Sequence, residues 1–349
     1  MVILNEAKPK YEHLDEILED QLQDIRFSNQ VNIIVDLKEI LRKFFRPDID
    51  AEIIPRRQLL EEISADIINT IGHYRNYFYK KGKYTTFYIL YSKEKCEEIL
   101  KKIPEYKKEY YEKYFNENDK KAAIIKEVVR VIEKISVQIP HVYFADTSKY
   151  DEFVYAKYLK SIIKENELTI ILSNDDLFYQ LLSKNIFLIN LKGIKSELIT
   201  KENCISKITK KEFSFSSDLL PLVLSISGIK KYSISSVPNV ALIKACNIVQ
   251  KLLNDGKIVD AESVKIPIEF SKLNPKNSLE NKLILNKEII TKNYNFIKGD
   301  ELFFAHKLTI PNDFISNPTK DIHEFLNLNA KIFTSFPLQI DMLLKGEQL

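Results

Sequence analysis

Five short runs of β-branched and aromatic residues punctuate the chain: VNIIVD (31–36), KYTTFYILYS (83–92), HVYFAD (141–146), LTIILSNDD (168–176) and NIFLINLK (185–192). Their length suits strands buried on both faces, and it falls well short of the roughly 18–20 apolar residues a membrane span needs. Between them, apolar positions fall at helical spacing. Residues 56–79 read as a helix with a basic start, and residues 122–138 place Ile124, Val128, Val131 and Ile135 on one stripe. KYDEFVYAKYLKSIIKE (149–165) and DLFYQLLSK (176–184) also read as helices, as does Glu12 to about Arg26, with Leu14, Ile17, Leu18, Leu22 and Ile25. Strands alternating with helices predict an α/β fold, a parallel sheet covered on both faces. In such sheets functional groups collect at the C-terminal strand ends. From about Ser214 to Asn254 the pattern is mainly helical, and residues 260–349 mix short strand-like runs with prolines and asparagines.

Several chemistries are excluded by what is missing. The 7 glycines among 349 residues (Gly72, Gly82, Gly193, Gly228, Gly256, Gly299, Gly346) form neither GxGxxG nor GxxxxGK[ST]. A dinucleotide site of the Rossmann type and a P-loop are therefore absent. The five histidines (His13, His73, His141, His306, His323) form no HExxH and read as structural or surface residues. Cys96, Cys204 and Cys246 are odd in number and far apart, which argues against disulfides and zinc and for small core residues in a reducing compartment. No GxSxG elbow occurs. Carboxylates remain as the main candidate chemistry.

Lysine, isoleucine, asparagine, tyrosine and phenylalanine dominate while tryptophan is missing, a composition that matches A/T-rich codons, as in a phage or a low-GC bacterium. The N-terminus turns acidic early and reads as no secretory signal, so a cytoplasmic location is expected, the bacterial host cytoplasm for a phage-encoded chain. With 52 basic against 49 acidic residues there is no strong global field, and any contact with nucleic acid must come from local patches.

Acids follow the strands at Asp36, Asp146 and Asp175–Asp176, and Asp151–Glu152 opens a helix. A sheet can gather such positions although they are distant in sequence. Hard divalent cations take oxygen ligands and retain several waters, so a few carboxylates suffice to bind one. Two such ions about 4 Å apart activate a water and stabilise the leaving oxygen of a phosphodiester. Acids just beyond strands also serve as helix caps and turn formers.

Four segments in order carry a family resemblance. VNIIVD resembles a first strand ending in a metal-binding Asp, here Asp36. KYDEFVYAKYL resembles EADDxIAxxA, with Asp151 and Glu152 on its paired acids. ILSNDDLFYQLLSKNIFLIN resembles SGDxDxxQLxxxxVxxxx through Ser173, Asp175, Gln180 and Leu181. LLPLVLSISGIKKYSISSVPNVALIKACNIVQKLL resembles LxxxGDxSDNIPGVxGIGxxTAxxLL, with Gly228, Val237 and Pro238 aligned. Over roughly residues 30–255 the chain thus resembles the flap endonuclease and 5′–3′ exonuclease family, within the PIN-like nuclease superfamily. The resemblance implies a PIN-like core over residues 1–213 and, over 214–349, a helical, helix-hairpin-helix-like region that contacts nucleic acid, with a C-terminal extension. It implies hydrolysis of phosphodiesters at 5′ ends or flaps of DNA or RNA–DNA hybrids in replication or repair, with Mg²⁺ or Mn²⁺ held by Asp36, Asp151, Glu152 and Asp175 and helped by Asp146 and Asp176.

The chain departs from the pattern in several places. Lys149 stands at the leading Glu of EADD, and a site plugged by it would end the enzyme reading. Leu177 replaces the second Asp of SGDxD, Tyr91–Ser92 replaces an FD pair, and both acids of GDxSDN are missing within Ile229–Ser233. The alternative is a catalytically lapsed relative, a nucleic-acid-binding or structural subunit of a phage replication or transcription assembly.

Candidate phosphate contacts are Arg56, Arg57, Arg75, Lys80 and Lys81, together with Ser235, Ser236 and Lys244 in the hairpin region. Residues 101–121 lie where the family carries an arch over its active site, and there Lys107, Lys108 and Tyr110 interleave charge with rings that stack on unpaired bases. The same composition fits a solvated helix, its lysines offset by Glu105, Glu109 and Glu112. The C-terminal FPLQIDMLLKGEQL has helical spacing and would dock on the chain's own core or on a replication partner.

Overall fold

All five apolar runs form strands, and they lie parallel in one sheet: β1 (Gln30–Asp36), β2 (Tyr84–Tyr91), β3 (Val142–Asp146), β4 (Leu168–Leu172) and β5 (Ile186–Asn190). The computed structural model describes residues 28–41, 56–108, 120–190, 197–258, 266–300, 303 and 309–318. Two short strands, β6 (Glu197–Ile199) and β7 (Phe314–Ile315), close the edges antiparallel, so the sheet is mixed and not wholly parallel. Its order is β6-β5-β4-β1-β2-β3-β7.

The helices are α1 (Leu37–Leu41), α2 (Arg56–Lys80), α3 (Glu97–Lys102), α4 (Lys120–Ser136), α5 (Glu152–Ile162), α6 (Cys204–Thr209), α7 (Leu220–Ser227), α8 (Leu242–Asn254), α9 (Ser278–Leu285) and α10 (Lys287–Lys298). The helix expected over 176–184 is a 3₁₀ turn, Asp176–Leu181, because β5 starts too soon for a longer helix. Residues 278–298, which the sequence left mixed, are helical. The expected helix from Glu12 to about Arg26 and the FPLQIDMLLKGEQL segment lie outside the described residues. No helix among the described residues is long and apolar enough to cross a membrane.

Strand alternation divides the core into two layers. Val31, Ile33 and Val35 face the side covered by α2 and α4, while Ile34 faces the side covered by α5 and α7–α10. The same parity carries Asp36 to the face of Ile34. From β1 the chain lays β2 and β3 on one side, then returns over α5 to set β4 and β5 on the other. β1 and β4 are therefore neighbours whose connections diverge, a topological switch point, the place where open α/β sheets bind ligands beyond their strand ends. The three cysteines are buried thiols outside any disulfide.

The connection after α7 depends on Gly228, at φ 66 and ψ 174. A Cβ there would sit 2.5 Å from the Ile234 carbonyl oxygen and 2.6 Å from the Ser236 nitrogen. Asn293 of α10 ties the turn down, its amide donating to the carbonyls of Ser225 (3.0 Å) and Ser235 (2.7 Å). Gly228→Ala is expected to lower stability in urea unfolding by about 1–3 kcal/mol, the cost of a side chain in glycine-only backbone space. Gly82→Ala, also at positive φ but with no atom within 4 Å of the added carbon, is expected to cost less.

Candidate metal centre

The site is built where β1 and β4 end. Asp36, the last residue of β1, accepts from the Ser173 hydroxyl (2.8 Å) and, more weakly, from the Glu39 amide (3.4 Å). Ser173 follows β4, and its oxygen also accepts from the Asp175 amide at 3.0 Å. Asp175 in turn caps the 3₁₀ turn through the Leu177 amide at 3.0 Å. One hydroxyl thus ties the Asp36 carboxylate to the Asp175 backbone. Glu39, one helical turn after Asp36, completes the group: one carboxylate oxygen each from Asp36, Glu39 and Asp175 lie within 4.8 Å of one another. Divalent cations bind oxygens at about 2.0–2.6 Å, so oxygens on one ion stand no more than about 5 Å apart, and this set fits such an ion.

A second pair stands beside it. Asp151 holds the start of α5 through the Phe153 amide (3.3 Å) and accepts from the Tyr106 hydroxyl (2.8 Å). It also accepts from the Cys96 thiol (3.9 Å) and pairs with the Lys107 ammonium, which lies 3.4 Å from Glu152. Glu152 accepts from the Ser92 amide (3.1 Å) and pairs with Lys38 (3.3 Å). Lys231 bridges Glu39 (2.9 Å) and Asp175 (3.3 Å) within the first group, and Lys38, paired with Glu152, also acts on Asp36, joining the two groups' charges into one network.

All five carboxylates are at most 3% exposed. Burial pushes the Asp36 carboxyl up to about 7, with Glu39, Glu152 and Asp175 adding to the rise and Lys38 opposing it. Burial acts on Glu152 in the same direction, yet Lys107 and Lys38 hold it well below the usual carboxylate range. Lys38 is held well above its ordinary value: burial opposes its charge, and Glu152, together with Asp36 and Asp151, more than restores it. With every acid ionised, the carboxylates exceed the three lysines by two negative charges, the charge of one divalent cation.

The structure brings Asp36, Asp151, Glu152 and Asp175 into this network. Glu39, Lys38 and Lys231 join it without a sequence signal beyond the Asp-x-x-Glu spacing that follows β1. Asp146 accepts from the Lys93 and Ser148 amides (3.3 and 3.1 Å) as a turn former and stands outside the close group. Asp176, partly exposed, begins the 3₁₀ turn and is outside it too. Lys149 does not plug the site; exposed, it pairs with Asp313 at 3.0 Å.

Lys107, expected on an arch, is buried in the acid network because its turn folds under Tyr232. Lys108 stays exposed beside Glu105. Arg75 is buried, donating to the Pro140 carbonyl and lying over the Phe87 ring. Lys80 and Lys81 are exposed, and they enter β2 at its N-terminal end. At about 3.3 Å per residue, a strand of eight residues puts them roughly 25 Å from the acid end, so they cannot share its phosphate. Ser235, Ser236 and Lys244 are exposed around the α7–α8 connection. Tyr110 and the side chains of Arg56 and Arg57 lie outside what the structure describes.

No family model and no curated protein matches the chain. Solved structures do. The bacteriophage T5 D15 flap endonuclease, as a pseudo-enzyme–product complex with DNA and metal ions, matches with TM-score 0.59 at 13% identity, over 86% of this chain and 98% of that one. The T5 D15 protein co-crystallised with metal ions gives 0.56 at 13% identity, covering 87% and 99%. The T5 5′-exonuclease with bound zinc gives 0.56 at 12% identity, covering 86% and 99%. At these identities the likeness establishes the fold: the chain has the α/β, PIN-like architecture of flap endonucleases.

Proposed function

We propose that the chain is a metal-dependent 5′ nuclease, hydrolysing phosphodiesters at the ends or flaps of DNA or RNA–DNA hybrids in replication or repair. The observation that carries this reading is the convergence of Asp36, Glu39 and Asp175 from two distant segments at the β1–β4 switch point, with two negative charges left over. These three residues would hold Mg²⁺ or Mn²⁺. When bound, such an ion lowers the pKa of a water and stabilises the oxygen that leaves a phosphodiester.

The chain's own groups do the rest. Ser173 and the amides of Glu39 and Leu177 fix the carboxylates before any ligand arrives. Lys38 and Lys107 place fixed positive charge beside the site, which favours the added negative charge of a phosphoryl group under attack. Residues 1–213 serve as the catalytic core. In 214–349, the exposed Ser235, Ser236 and Lys244 would meet the nucleic-acid backbone, a contact that positions without reading sequence.

The test is cleavage of a 5′-flap substrate and an RNA–DNA hybrid by the full chain with Mn²⁺ or Mg²⁺. Asp36→Asn and Asp175→Asn are each expected to slow cleavage at least about 100-fold, a loss of roughly 2.7 kcal/mol of transition-state stabilisation. Metal-dependent cleavage that ignores both changes removes this site. A second reading, a lapsed nucleic-acid-binding or structural subunit of a replication or transcription assembly, is favoured by the Lys107 contacts with Asp151 and Glu152. It calls for flap binding without cleavage under every metal condition.

A further inference from the structure

The lysines among the five carboxylates are of two kinds. Lys107 is 3% exposed, and its ammonium lies beside the rings of Tyr106 and Tyr232, 5.2 and 5.1 Å from their centroids. Those rings stack on each other at 5.4 Å. Its backbone is pinned as well: the Lys107 amide donates to the Tyr232 carbonyl at 3.3 Å, and the residue is in left-handed space at φ 52. No short rotation takes this ammonium away from Asp151. Lys38, 4% exposed, is similarly enclosed against Glu152. Lys231 differs. It is 31% exposed, it rides on a three-residue 3₁₀ turn (Lys230–Tyr232), and only its side-chain tip reaches Glu39 and Asp175.

We propose that this chain takes one divalent cation and not two: Lys107 is a resident cation that permanently fills the Asp151–Glu152 pair, and Lys231 is the exchangeable counter-ion that leaves Glu39 and Asp175 when the divalent ion enters. The count follows from which carboxylates an ion can reach. With Lys231 displaced, Lys38 and Lys107 leave the five carboxylates three surplus negative charges; one dication at Asp36, Glu39 and Asp175 reduces these to one, and the enclosed Lys107 keeps a second ion from Asp151 and Glu152. The inference rests on the reading of Asp36, Glu39 and Asp175 as a metal centre, and it adds the stoichiometry and the two lysine roles.

The experiment counts Mn²⁺ bound to the full-length chain, by calorimetric titration and by the paramagnetic resonance signal of free Mn²⁺. The wild type is expected to bind one ion. Lys231→Met is expected to bind one ion several-fold more tightly, because the competing ammonium is gone. Lys107→Met is expected to bind two. Circular dichroism checks that each variant is folded; should Lys107→Met not fold, the wild-type count and the Lys231→Met affinity decide alone. Two ions on the wild type, unchanged affinity in Lys231→Met, or a single ion on folded Lys107→Met overturns the inference and leaves the nuclease reading standing. A wild type that binds none removes both.

Discussion

Replacing Lys107 with methionine is expected to destabilise the folded chain by about 3–5 kcal/mol in urea unfolding without divalent cations, the usual cost of stripping one partner from a buried ion pair. Methionine keeps most of the stem volume beside Tyr106 and Tyr232, so packing is largely preserved and the loss reports on charge. Asp151 would retain the Tyr106 hydroxyl and the Phe153 amide, and Glu152 would retain Lys38 and the Ser92 amide. Those hydrogen bonds do not replace a missing positive charge at 3% exposure. Saturating Mn²⁺ is expected to recover much of the loss, because an ion bound only by the folded state stabilises it by mass action. The control is Lys108→Met. That neighbour is exposed and pairs with exposed Glu105, an interaction worth about 0–1 kcal/mol. Equal unfolding midpoints for the two variants would show that Lys107 is not enclosed as described.

The lysine network also marks where a sequence stops being legible. A parallel strand is apolar on both faces, so β1 to β5 stand out as uninterrupted runs whatever surrounds them. β6 and β7, three and two residues long, have no period to detect. α9 and α10 are masked by asparagines: Asn277, Asn281, Asn286, Asn293 and Asn295 suppress helix propensity in composition. In the fold Asn277 caps α9, and Asn293 is buried to hold the hairpin turn. The same division runs through the site. Asp36 and Asp175 are legible because a carboxylate closing a buried apolar strand is costly to desolvate and so stands out against the run before it. Glu39 is not, since α1 spans five residues and offers no pattern. Lys107 belongs to a tyrosine–lysine run whose composition equals that of a solvated helix, and only contact with Tyr232 distinguishes it. Arg75, Lys80 and Lys81 fail for a topological reason. Basic residues near a phosphate site in sequence are useful only at the correct end of the sheet, and α2 carries these to the other end.

Asp36→Asn is expected to change the pH dependence of stability, and the sign follows from burial. The Asp36 carboxyl titrates near 7 in the folded chain against an ordinary value of 3.8. Between those values the folded state holds a proton that the unfolded chain has lost. Its contribution to stability is therefore fully present below about pH 4, falls as pH rises, and is gone above about 7. Asparagine has no proton to lose and removes this dependence. The stability of Asp36→Asn relative to wild type should then rise by on the order of 2–3 kcal/mol between pH 5 and pH 7, at about 1.4 kcal/mol per pH unit, and stay level above. Urea unfolding in chelator across pH 5–8 measures it. Adding Mn²⁺ at pH 8 should narrow or reverse the gap, because the ionised wild-type carboxylate gains a partner and asparagine contributes no charge to hold one. A gap that does not change with pH would mean that Asp36 keeps an ordinary acidity, in contact with water, and that the acids at the β1–β4 switch point are not desolvated enough to require a cation at all.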